Sequence, residues 1–149
     1  MGGEVLRRNH RLSQNIERLT APEMGYTFQP LTAPLTSTSW DGDAFSTTAK
    51  TLIDLSAVFS APAGIKAILI NLNARDSGSA AGSASLRVSP NSTAGQAPVV
   101  LTLDGFPNDT YVNESGVCPC DSNGDIYYQI TATGAGTMDV TLQIWGYWK

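Results

Sequence analysis

From about residue 49 to the C-terminus, apolar and polar residues alternate with a period of two, the pattern of a strand with one buried face. In residues 66–75, Ile68, Ile70, Leu72 and Ala74 fall on one side and Asn71, Asn73 and Arg75 on the other. Residues 137–145 place Met138, Val140, Leu142 and Ile144 against Asp139, Thr141 and Gln143, and residues 125–133 turn Ile126, Tyr128, Ile130 and Ala132 inward. Shorter strand candidates lie at residues 51–55, 84–89, 98–103 and 110–112, separated by clusters of Gly, Pro, Asp and Asn. Seven or eight short strands at this spacing predict an all-β fold, an antiparallel β-sandwich of jelly-roll or immunoglobulin-like topology. The segment Gly134-Ala135-Gly136 predicts a tight hairpin joining the last two strands, with Ile126 opposite Ile144, Tyr128 opposite Leu142, Ile130 opposite Val140 and Ala132 opposite Met138. That register makes Tyr127 and Trp145 diagonal neighbours on the outer face, followed by Trp148.

The first 48 residues follow different rules. Residues 4–20 contain no Pro or Gly, and Val5, Leu12 and Leu19 recur every seven positions with Ile16 between them, which predicts a short helix with one apolar stripe. Such a helix is ~24 Å long and marginal alone in water, so the stripe calls for a partner. Residues 21–48 carry Pro22, Pro30 and Pro34 among Thr and Ser, which predicts an extended connector packed against neighbouring chains. The expected division is therefore a helix and anchoring arm over residues 1–48 and a sandwich domain over 49–149. Charge divides the same way. Four arginines against two glutamates leave residues 1–20 at +2, and five basic against eleven acidic groups leave the rest at −6, for the net −4. A basic arm on an acidic body suits docking on another surface, the acidic face of a sister subunit being one option, and Val5, Arg7, Arg8, Arg11, Leu12, Ile16 and Leu19 are the candidate anchoring residues. Nucleic acid is a poorer partner, because affinity for it scales with the phosphates neutralised and the segment holds only those four cationic side chains.

The chemistry-bearing residues are sparse. His10 is the sole histidine, and the chain has no H-E-x-x-H, no G-x-S-x-G and no phosphate-binding G-x-x-x-x-G-K-[ST]. Asp41 and Asp43 flank a glycine, as turn residues do. These features predict no catalytic residues, no metal and no cofactor. Cys118-Pro119-Cys120 reads as two reduced thiols in a β-edge segment, because a closed zinc site needs four ligands and a disulfide at this spacing is strained. Asp121, Asn123 and Asp125 match half a calcium loop, but Ala132 stands where its glutamate belongs, and the same letters describe a tight turn. Asn91, Asn108 and Asn113 begin N-x-[ST] triplets, which carry sugar only in a secreted chain. No run approaches the ~18 apolar residues of a membrane span, and residues 1–19 lack a signal peptide's apolar stretch. An outward aromatic group of Tyr127, Trp145 and Trp148 fits either a subunit contact or a platform for sugar rings.

A helical arm, a Pro/Thr connector and a Ser/Thr/Gly-rich sandwich ending in Ile144-Trp145-Gly146-Tyr147-Trp148-Lys149 resemble, in style over the whole chain, the small virion proteins of tailed bacteriophages. That resemblance implies a non-enzymatic structural component, a capsid decoration protein or a tail or fibre part, located in the virion after synthesis in the host cytoplasm. It implies a homo-oligomer, a trimer, joined through the β-domain, with the arm contacting other virion proteins. A carbohydrate-binding module, or a fibre tip that reads a receptor, is the alternative expectation.

Overall fold

The computed structural model describes residues 25–40, 49–76, 84–104, 109–131 and 138–149. The helix expected over residues 4–20 lies outside them. The chain forms β1 (Phe28–Leu35), β2 (Thr51–Ile53), α1 (Leu55–Phe59), β3 (Ala67–Asp76), β4 (Ser85–Ser89), β5 (Leu101–Asp104), β6 (Val112–Pro119), β7 (Ile126–Thr131) and β8 (Met138–Trp148). These make two four-stranded sheets, sheet I in the order β1-β8-β3-β6 and sheet II in the order β2-β7-β4-β5. All pairings are antiparallel. The first strand pairs with the last, β2 with β7, β3 with β6 and β4 with β5, so the chain runs as one long hairpin. Pairing of β3 with β8 and of β4 with β7 rolls that hairpin into two sheets.

The alternation explains the core. Ile68, Ile70, Leu72 and Ala74 of β3 and Met138, Val140, Leu142 and Ile144 of β8 are buried from sheet I. Leu86 and Val88 of β4, Leu101 and Leu103 of β5, and Ile126, Tyr128 and Ile130 of β7 meet them from sheet II in a single cluster. On one flank β5 packs across onto β6. A Cβ at Gly116 would lie 2.6 Å from Leu101 Cδ2, so the approach of the two sheets depends on glycine there. On another flank the ring of Trp40 stands edge-on to Tyr128 at 5.4 Å and lies 6.1 Å from Phe59. Phe59 and Leu55 form the buried face of α1, whose start is fixed by Asp54 Oδ1 accepting from the Ala57 amide at 2.9 Å. It stops at Ser60, in the left-handed region at φ 57°.

Two expectations are corrected. The strands β7 and β8 are not a hairpin, because they lie in opposite sheets: Ile126 pairs with Ile53 and Ile130 with Leu86, while Ile144 pairs with Ile70. Alternation fixes which face of a strand is buried but not its neighbour. A strand ~4.8 Å away in the same sheet and one ~10 Å away across the core satisfy the same pattern. The glycine-containing connection falls outside the described residues. The second correction concerns the arm, because Phe28–Leu35 of the expected connector is a strand of sheet I, paired with β8 of its own chain. Proline excludes a central strand but is accepted at an edge, and β1 is an edge, with Pro30 opposite Gly146. The sheets therefore begin before residue 49. Among the described residues no helix is long and apolar enough to cross a membrane.

Candidate functional site

The edges of both sheets are unsuited to adding a strand. The edge strand β1 contains Pro30 and Pro34, which lack amide donors, and its register slips between Pro30 and Leu35. In sheet II, β2 is three residues long and β5 four. In β6, Glu114 stands opposite the buried Leu72 and so has the inward parity, yet it is exposed. Prolines, short edges and an inward-facing charge all oppose edge-to-edge pairing. Surfaces for contact are therefore the outer faces of the sheets.

The outer face of sheet I is divided by a bulge in β8. Leu69 pairs with Gly146 and Ile70 with Ile144, which leaves Trp145 without a partner in β3. Its indole Nε1 donates to Gln143 Oε1 at 3.2 Å, which holds the ring on the outer side with Gln143. The extra residue also reverses the parity that follows. Tyr147 comes opposite the buried Ile68 and packs against the core, whereas Trp148 faces outward beside Ala67. Phe28 lies 4.5 Å from Trp148 between ring centroids, in the space that Gly146 leaves open: a Cβ there would come 2.5 Å from Phe28 Cε2. Two transverse rows result, Phe28-Trp148-Ala67-Pro119 and Pro30-Gly146-Leu69-Val117, with Trp145 beside the second. Val117 is 47% exposed, and Phe28 and Trp145 are each 38% exposed.

Beyond Trp145 the same face turns polar. Gln143, Asn71 and Ser115 form one row, with Asn71 Nδ2 donating to Ser115 Oγ at 2.6 Å, and Thr141, Asn73 and Asn113 form the next. At the far end Arg75 Nε donates to Asp139 Oδ2 at 2.6 Å, and its guanidinium lies 4.9 Å from the Tyr111 ring. The face thus runs from aromatic and aliphatic at the β1 entry to amide-rich and then ion-paired.

Of the predicted contacts, Trp145 and Trp148 are brought together on this face. Tyr127 is not: it belongs to β7 on sheet II, where its hydroxyl donates to Asp121 Oδ2 at 3.3 Å, so the expected three-ring platform is corrected to two tryptophans with Phe28. Val5, Arg7, Arg8, Arg11, Leu12, Ile16 and Leu19 lie outside the described residues. Phe28, Leu69 and Val117 are absent from the sequence-based set, since only the pairing of four distant segments makes them one surface. A usable signal existed in Gly146, a glycine inside a strand between two tryptophans, which marks a bulge.

His10, Asp41, Asp43 and Asn108 lie outside the described residues, and the half calcium motif serves the fold. Asp121 Oδ1 accepts from the Asn123 amide at 2.9 Å and the Asp125 amide at 3.0 Å, and Asp125 Oδ1 accepts from the Leu55 amide at 3.0 Å. The half calcium motif is therefore a turn whose carboxylates bind backbone, with Gly124 at φ 91°. Burial pushes the Asp125 carboxyl above its ordinary pKa, and the neighbouring Asp54 and Asp121 add to the rise. Cys118 and Cys120 are free thiols; Cys118 is buried in the core opposite Ile68. Burial pushes both up to about 12, so they are protonated at neutral pH. Among the described residues no group of three or more His, Cys, Asp or Glu is placed to hold a metal ion. No protein-family model matches the chain, and no match is found among curated proteins.

Proposed function

We propose that the chain is a non-enzymatic structural component of a bacteriophage particle, a jelly-roll body that self-associates as a trimer and anchors through its N-terminal segment. The observation that carries this reading is the apolar end of sheet I, exposed on a body whose strand edges oppose pairing. The strand orders β1-β8-β3-β6 and β2-β7-β4-β5 suit a jelly roll, an architecture found in viral capsid domains and in lectins, which supports the reading by analogy of fold. Aromatic side chains are enriched in protein contacts, and burying the part of these apolar side chains that is still exposed offers a driving force without any bond made or broken. Native mass spectrometry of the full chain tests the assembly, with a closed trimer expected at micromolar concentration and a monomer overturning it. Proteomics of purified particles from the encoding source tests the location, and absence of the chain from them sinks it.

A second reading is favoured by the amides beside Trp145. An exposed indole bordered by Gln143 and Asn71 offers a stacking surface with hydrogen-bonding groups alongside, the combination that suits a neutral sugar chain. Saturable quenching of tryptophan fluorescence by oligosaccharides, lost in Trp145→Ala, would decide for it.

A further inference from the structure

The aromatic end of sheet I lies where the N-terminal segment joins the body. Thr27 and Lys149 exchange backbone hydrogen bonds of 2.9 and 3.1 Å, so the β1–β8 ladder runs past Phe28 and carries the chain off the end of the sheet at Gly25. Residues 1–24 precede that point and lie outside the described residues. Their apolar residues Val5, Leu12, Ile16 and Leu19 share one stripe at helical spacing, ~21 Å long. Four strands spaced ~4.8 Å apart make the receiving face ~14 Å wide from β1 to β6, so a helix laid across the strands reaches every residue of the Pro30-Gly146-Leu69-Val117 row. The two parts of the chain carry opposite net charge, +2 on residues 1–20 and −6 on the rest.

We infer that the aromatic end of sheet I is the seat for the 4–20 segment of a neighbouring copy, its stripe covering Phe28, Leu69, Val117, Trp145 and Trp148. The inference rests on the assembly reading above and names the surface that assembly uses. Because the ladder leads away from the face, the segment reaches the next copy by continuing outward; covering its own face requires a reversal within residues 21–25. Each copy then gives one segment and receives one, and a ring closes without any strand edge being paired.

The test uses the full chain with a photo-crosslinking amino acid at Leu12, prepared as an equal mixture of 14N and 15N protein. Mixed-isotope cross-links from position 12 to the peptides holding Leu69 and Val117 are expected. Ile16→Asp, outside the body, and Val117→Lys, on an exposed position, should each weaken the oligomer by about tenfold or more while the circular-dichroism spectrum of the folded body is unchanged. Cross-links confined to single-isotope products, or directed to other surfaces, overturn the inference. An oligomer that survives both substitutions overturns the seat while leaving the assembly reading standing, whereas a monomeric wild-type chain removes the assembly reading itself.

Discussion

At Gly116 and Gly146 the missing side chain is what allows two elements to meet, and the two positions differ in what would have to move. A Cβ at Gly116 meets Leu101 Cδ2 at 2.6 Å, inside the contact between the sheets. Gly116→Ala gains ~0.5 to 1 kcal/mol of strand propensity but must displace the end of the Leu101 side chain, at a cost of ~1 to 3 kcal/mol. The expected outcome is a net loss of up to about 2.5 kcal/mol by urea unfolding, and a stabilised variant would contradict the close approach of β5 and β6. Asp125 gives a prediction with a sign. Its folded pKa is raised, so the native state binds its proton more readily than the unfolded chain. The contribution of this carboxyl to stability is greatest at low pH and falls as pH rises from its unfolded pKa through its folded one. Asp125→Asn keeps an oxygen to accept from the Leu55 amide and removes the titration. Stability of the wild type minus that of the variant should therefore decrease from pH 3 to pH 7 in urea titrations. A difference that is flat or rises with pH rules the assignment out.

At the scale of elements, the sequence discloses faces more readily than neighbours. The inward residues of β3, β7 and β8 follow directly from alternation, and those described are buried as expected. Which strand lies beside which does not follow, because β7 and β8 bury the same side whether they share a sheet or oppose each other across the core. Edge strands were hardest to read, since their sequences are shaped by the need to refuse partners. Prolines in β1 resemble a linker, and Asn113-Glu114-Ser115-Gly116 in β6 resembles a turn because one inward position is charged and another empty. The candidate face was legible only as Trp145 and Trp148; Phe28, Leu69 and Val117 join it through pairings between segments up to 120 residues apart, as with Phe28 and Trp148. Glu114 supplies the test at this scale. Glu114→Val replaces the inward charge by a good strand former and leaves the β3 register intact. Sedimentation should then show new concentration-dependent association beyond the wild-type oligomer, and an unchanged distribution would mean that Glu114 does not guard the edge.

For the molecule as a whole, the place where arm becomes body decides what a truncation measures. Thr27 pairs with Lys149 and Phe28 stacks on Trp148, so the sheet begins within a few residues of Gly25. Removing residues 1–24 takes away the basic segment and its apolar stripe but leaves all eight strands. Removing residues 1–36 also strips β1, baring the backbone edge of β8 along Ile144, Gly146, Tyr147 and Trp148. The two deletions should therefore separate assembly from folding. The shorter one is expected to unfold in one transition, at the urea midpoint of the wild type diluted below its association range, because all eight strands remain. The longer one loses a strand's worth of hydrogen bonds and the Phe28 contact, and exposes an aromatic-rich edge, so it should unfold at a clearly lower midpoint with a smaller denaturant dependence and aggregate on refolding. Equal midpoints for the two deletions would show that β1 adds nothing to the body and belongs with the arm after all. A large loss already in the shorter one would show that residues 1–24 are part of the fold, and the segment would then be unavailable to a neighbour.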